Sequence, residues 1–179
     1  KKMIEAELEL PVSTIFSEFS EPVAAASIAQ VHRARLADTG EEVAVKVLRP
    51  GVRERFQRDL DAMRFAAQQA EKRSPDARRL RMVEVVETLA RSVTVEMDLR
   101  LEAAALSEFA ENTAADGDFR VPVPDWERTA RDVLVIEWVD GIRLSDVEAI
   151  RLAGHDMAAL GRNVIQSFLK HAIRDGFFH

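Results

Sequence analysis

A single lysine, Lys46, stands in the run Val43-Ala44-Val45-Lys46-Val47. An ammonium set among small and β-branched apolar neighbours is costly to bury unless an anion meets it. Phosphate oxygens and a carboxylate are the partners that fit. The alternative is an edge strand with Lys46 facing water, in which case alternation turns Ala44 and Leu48 outward as well. Upstream, Ala24, Ala26, Ala29 and Val31 have the spacing of a phosphate-covering loop, G-x-G-x-x-G-x-V, with alanine at each glycine place. Glycine serves in such loops because backbone N–H groups must approach phosphate closely, in conformations that a Cβ disfavours. Methyl groups there imply a stiffer loop, seated differently over a phosphate and restricting a bulky acceptor. In a chain this rich in alanine, the same spacing also fits a small-residue packing segment.

Three acids downstream could meet Lys46: Glu96, Asp98 and Glu102. Read as one continuous helix, Asp98 and Glu102 share a face and Glu96 lies about a third of a turn from Glu102. One lysine cannot then use Glu96 and Glu102 alike, and ordinary solvated helix acids are the competing explanation. Val133 to Gly141 reads as a buried strand delivering an exposed backbone, where N–H and C=O groups of Glu137 and Val139 could hold a base edge beside Ile136. An ordinary core strand and turn would look the same. His32, His155 and His171 have no ligand spacing and read as structural or exposed. Asp38, Asp116 and Asp118 read as turn formers. No Walker loop, dinucleotide fingerprint or Ser/His/Asp arrangement is present.

The elements that must position these residues follow from periodicity. Residues 1–18 carry a short helical pattern broken by Pro11, with a second turn around Ser13 to Phe16, and strand texture begins at Phe19. Ser27 to Leu36 and Glu42 to Leu48 predict a hairpin whose turn uses Gly40 for positive φ. Val52, Phe56, Leu60, Met63, Ala67 and Ala70 recur at steps of three and four, giving one helical stripe that ends at Ser74-Pro75-Asp76. Met82, Val86, Leu89, Val93 and Met97 form a second stripe running on through Leu101 and Ala105 toward Phe109. Val121-Pro122-Val123-Pro124 is extended and limited by its prolines. Asp132 to Val139 predicts a strand, and Met157 to Ala172 a last helix. The fold class is α+β.

Composition narrows the function classes. The 179 residues are 47% hydrophobic with a net charge of −6, enough to bury a core and the wrong sign for a nucleic-acid-binding surface. Zero cysteines exclude a disulfide framework, a thiolate zinc site and a cysteine nucleophile. No apolar run approaches the roughly 20 residues of a membrane-spanning helix, and the start is amphipathic rather than a signal peptide. Both ends read as cut from a longer protein.

Taken together, Glu21-Pro22-Val23-Ala24-Ala25-Ala26-Ser27-Ile28-Ala29-Gln30-Val31-His32, Val45-Lys46-Val47-Leu48-Arg49-Pro50-Gly51, Glu96-Met97-Asp98 with Glu102-Ala103, and Gly176-Phe177-Phe178-His179 resemble the UbiB family of atypical protein-kinase-like proteins over nearly the whole chain. The resemblance implies a kinase-like N-lobe, an antiparallel sheet with inserted helices, running into the first helix of a C-lobe. It divides the chain into an N-terminal helical segment (1–18), an N-lobe (19–141, with a helical insertion about 51–111) and the start of a C-lobe (142–179). It implies ATP and Mg2+ as cofactors and a kinase or ATPase role in ubiquinone biosynthesis. The expected partners are ubiquinone precursors, other proteins of that biosynthesis and a membrane surface reached by segments outside the chain. The expected place is the bacterial cytoplasm or the cytoplasmic face of the inner membrane. Ala24, Ala25, Ala26, Ser27, Val31, Ala44, Lys46, Ile136, Glu137 and Val139 are the implied nucleotide-binding residues. Glu102 is the implied partner of Lys46, and Glu96 with Asp98 the E-x-D motif, whose usual K-x-G-Q counterpart is missing here. The implied catalytic aspartate and metal ligands fall beyond His179, so the fragment alone is expected to be inactive. A non-catalytic scaffold and the older polyprenylphenol hydroxylase role are the competing readings; no flavin, haem or iron site is visible for the latter.

Overall fold

Alternation along residues 42–48 sets the architecture, because each face of that strand buries a different set of side chains. The computed structural model describes residues 1–117 and 119–176. Its elements run α1 (Lys2–Leu8), α2 (Val12–Ile15), β1 (Phe16–Ala25), β2 (Ala29–Leu36), β3 (Glu42–Leu48), α3 (Val52–Arg73), α4 (Pro75–Arg79), α5 (Met82–Glu96), α6 (Leu99–Thr113), β4 (Val133–Glu137), α7 (Val147–Leu152) and α8 (Met157–Lys170). A 3-10 turn, Trp126–Arg128, precedes β4 and a π-helical turn, His171–Asp175, follows α8. The four strands form one antiparallel sheet in the order β1-β2-β3-β4, which makes the chain α+β.

Val43, Val45 and Val47 of β3 with Val133 and Val135 of β4 pack against Ile4, Val12 and Ile15 of α1 and α2. On the opposite face, Leu48 and Leu134 meet Val52 of α3 and Met97, Leu99 and Ala103 around the start of α6. A third core, Leu60 and Ala67 against Val86 and Ala90, joins α3 to α5 as a helical hairpin that reaches away from the sheet. Met63 and Leu89, read from periodicity as part of the buried stripes, are exposed.

Several boundaries differ from the sequence expectation. β1 begins at Phe16 and runs to Ala25, so Ala24 and Ala25 are strand residues and the turn before β2 is confined to residues 26–28. The stripe from Met82 toward Phe109 is two helices. Asp98 has an extended backbone (φ −111°, ψ 96°) and accepts the Arg100 N–H as the cap of α6. Helix α7, capped by Asp146, was not anticipated from the sequence. Gly40 does take the positive φ (74°) that the hairpin turn requires. Segment 121–124 lies along β4 with few ladder bonds, since its prolines have no N–H: Glu137 N–H donates to Val123 O (2.9 Å), and Asp125 N–H to Val135 O (2.8 Å). Asp118 and Phe177-Phe178-His179, singled out from the sequence, lie outside the described residues.

Candidate functional site

Lys46 lies on an internal strand, paired on both sides, so the edge-strand alternative does not hold. Cross-strand pairing places Ala24 opposite Val31, Val31 opposite Lys46 and Lys46 opposite Leu134. These four form one row across the sheet and share a face. Two residues along, Ala44 pairs with Ile136 on that same face. Leu48, two residues beyond Lys46, is buried beneath α3 and α6 rather than turned to water.

The Lys46 ammonium donates to both oxygens of Glu102, at 2.8 Å (Oε1) and 2.6 Å (Oε2). Glu102 sits one turn into α6, on the helix that the Asp98 cap starts. The side chains are 31% and 28% exposed, so the pair lies at the rim of the covered face, within reach of a ligand. The other two acids behave differently because the helix breaks between them. Glu96 is the last residue of α5 and is exposed. Asp98 is bound bidentately by Arg100 (2.9 and 2.7 Å), which holds its carboxyl below the ordinary range. Glu96, Asp98 and Glu102 nevertheless line a common cavity of about 440 Å3 with Leu106, Phe109, Arg120 and Ile136. Among the described residues, no group of three or more acids and histidines is arranged to hold a metal ion.

The alanine segment is a tight, exposed turn. Ala26 N–H donates to Ala29 O (2.9 Å), while Arg49 clamps the turn from below through Nε to Ala26 O (3.1 Å) and its N–H to Ile28 O (2.8 Å). Among the described residues, only Glu9 and Arg81 are non-glycine residues with positive φ. The alanines thus follow a backbone that a Cβ tolerates. Ala24, Ala25, Ala26 and Ser27 are exposed. At the end of β4, Glu137 N–H is committed to Val123 O, and Trp138 N–H donates to Glu42 O (3.2 Å). Val139 lies past the strand, half exposed.

Two groupings were not found from the sequence. Arg53, at the start of α3, donates to the Met97 carbonyl and to Asp132, and the Asp132 N–H donates to Glu7 of α1 (3.1 Å). The second centres on Asp116, read from sequence as a turn former. Its buried carboxylate is bound by Lys170, by Arg174 (3.1 and 3.0 Å) and by His171 Nε2 (3.2 Å). Arg174 first, then Lys170 and His171, hold that carboxyl far below the ordinary range. The spacing of Lys170, His171 and Arg174 on one helical face was the available signal, but the acid next to them in sequence is Asp175, which pairs with Arg174 (2.6 Å), and nothing local announces Asp116, more than fifty residues upstream.

This arrangement spans the chain that family comparison matches as a whole. Residues 1–179 fit the ABC1 atypical kinase-like domain. The chain belongs to that family. Curated relatives include proteins named probable protein kinase UbiB from Marinobacter nauticus (40% identical over 99% of this chain and 32% of the relative) and from Aliivibrio fischeri (36% over 100% and 33%). A third, from Pseudomonas fluorescens, is 40% identical over 99% of this chain and 33% of its own length. The chain thus spans about a third of the relatives it matches. Its antiparallel sheet with attached helices is the kinase-like N-lobe of this domain.

Proposed function

We propose that the chain is the ATP-binding part of an atypical kinase or ATPase required for ubiquinone biosynthesis, acting on or near lipid precursors. The observation that carries this reading is the Lys46–Glu102 ion pair, set on a sheet face whose cross-strand row begins at the alanine turn. In phosphoryl-transfer enzymes of this class a strand lysine paired with a helix glutamate contacts nucleotide phosphates. Here Glu102 holds the ammonium in place and leaves it exposed enough to take phosphate oxygens. Ala24, Ala25, Ala26, Ser27 and Val31 would cover those phosphates, with Ala44 and Ile136 against the base. Glu137, through its carbonyl because its N–H is engaged by Val123, and Val139 would supply backbone contacts. Bound Mg2+ would neutralise phosphate charge, but the described acids are not arranged to hold it.

Ubiquinone precursors, companion biosynthetic proteins and a place in the bacterial cytoplasm or at the cytoplasmic face of the inner membrane belong to the same reading. The test is a thermal melt with and without Mg-ATP, comparing wild type with Lys46→Ala. The wild-type melting temperature should rise with nucleotide and that of Lys46→Ala should not. An equal rise in both would overturn the reading. If Lys46→Ala and Glu102→Gln also sustain ubiquinone production in cells, the protein is acting as a scaffold.

A further inference from the structure

The far end of the helical hairpin carries a charge opposite to that of the rest of the chain. Residues 72–81, Lys-Arg-Ser-Pro-Asp-Ala-Arg-Arg-Leu-Arg, hold five basic side chains and one acid, a net +4, while the remaining residues carry −10. All five basic side chains are exposed. Nearby acid is partly taken up internally, since Glu71 Oε1 accepts the Val83 N–H (2.9 Å) and its carbonyl accepts from Arg78. Among the described residues, Lys72, Arg73 and Arg79 have no carboxylate within ion-pair distance. At the apex, between Arg79 and Arg81, Leu80 is 59% exposed.

The apex is built rather than loose. Ser74 caps α4 through the Ala77 N–H (3.3 Å), Leu80 N–H donates to Asp76 O (2.9 Å), and Arg81 N–H to Arg78 O (3.1 Å). An exposed leucine on a fixed, convex, arginine-lined tip suits insertion at an interface between water and hydrocarbon. The tip is too small to supply the roughly 800 Å² per partner of a stable protein interface. Its reach favours a membrane too. The 22 residues of α3 extend about 33 Å, holding the acidic body several Debye lengths, each about 8 Å in physiological salt, from whatever the tip touches.

We infer that the tip of the α3–α5 hairpin, Lys72 to Arg81, is a docking point for an anionic lipid bilayer, with Leu80 entering the headgroup layer. This contact belongs to the chain itself, separate from any made by segments beyond it, and is independent of the nucleotide reading.

Vesicle sedimentation tests it. Wild type should partition onto vesicles containing about a third phosphatidylglycerol, far above phosphatidylcholine alone and falling with salt, since each basic residue at such a surface is worth roughly fivefold. Lys72→Gln, Arg73→Gln and Arg79→Gln combined should lower partition by about 100-fold, while Arg55→Gln with Arg58→Gln, nearer the body, should leave it within about twofold. Because the chain has no cysteine, L80C takes a single environment-sensitive fluorophore, whose emission should shift blue on anionic vesicles. Equal binding to neutral vesicles, undiminished binding by the triple variant, or an unshifted probe on sedimented protein would each overturn the proposal. So would an equal probe shift on adding inorganic phosphate or an RNA oligomer.

Discussion

Lys46 and Glu102 are each nearly a third exposed, and that exposure sets what their pairing can do. A pair so placed contributes only about 0–1 kcal/mol to stability. Lys46→Met should therefore change the urea midpoint little while abolishing the response to nucleotide; a collapse of stability would mark Lys46 as structural. Leu134, beside it in the cross-strand row, is fully buried, and Leu134→Ala should cost about 2–5 kcal/mol in the same titration. The need of Lys46 for an anion was legible in its apolar neighbours. Which of three acids it meets was not legible from periodicity, because Val93, Met97 and Leu101 continue an apolar stripe across a helix break. Resemblance to the family, not periodicity, singles out Glu102.

At the scale of elements, that break gives the E-x-D segment its form. Met97 is buried as a plug between α5 and α6, Glu96 ends one helix and Asp98 begins the next. Asp98→Ala removes a cap and should cost about 1 kcal/mol. Hydrogen exchange should show the effect concentrated in the first turn of α6, the turn that carries Glu102; protection lost evenly along the helix would argue for a packing defect instead. β2, β3, α3 and β4 were legible because a period of two or of three to four persisted without interruption. The early start of β1 and the whole of α7 were not. β1 mixes Glu18, Ser20 and Glu21 into an edge strand exposed along most of its length, and six-residue α7 is too short for a helical period to register.

At the scale of the molecule, Asp116 fastens the end of the α6 region to the π-helical turn after α8, across more than fifty residues of sequence. Its carboxyl is held well below its ordinary value of 3.8. A group depressed in this way stabilises the fold wherever it would already be ionised in the unfolded chain, and that contribution fades as pH falls through the lowered folded value. Asp116→Asn should accordingly melt at lower temperature than wild type near neutrality, with the gap narrowing in strong acid. A gap constant with pH would assign the loss to shape rather than charge. Long-range partners of this kind leave no periodic trace, which is why the carboxylate looked like an ordinary turn residue.

The linkage from Glu7 through Asp132 and Arg53 to the Met97 carbonyl gives the first helix a reach far beyond its own contacts. It works as a stay: Glu7 of α1 holds the Asp132 backbone, Asp132 anchors Arg53, and Arg53 binds the carbonyl at the joint from which α6 and Glu102 hang. Removing its first link with Glu7→Ala, which takes away the acceptor of the Asp132 N–H and changes no atom near Lys46, should weaken nucleotide-induced stabilisation and raise exchange in the first turn of α6. The amino-terminal helix, remote in sequence from Glu102, is thereby joined by side-chain contacts to the joint at which the carboxylate that holds Lys46 is set.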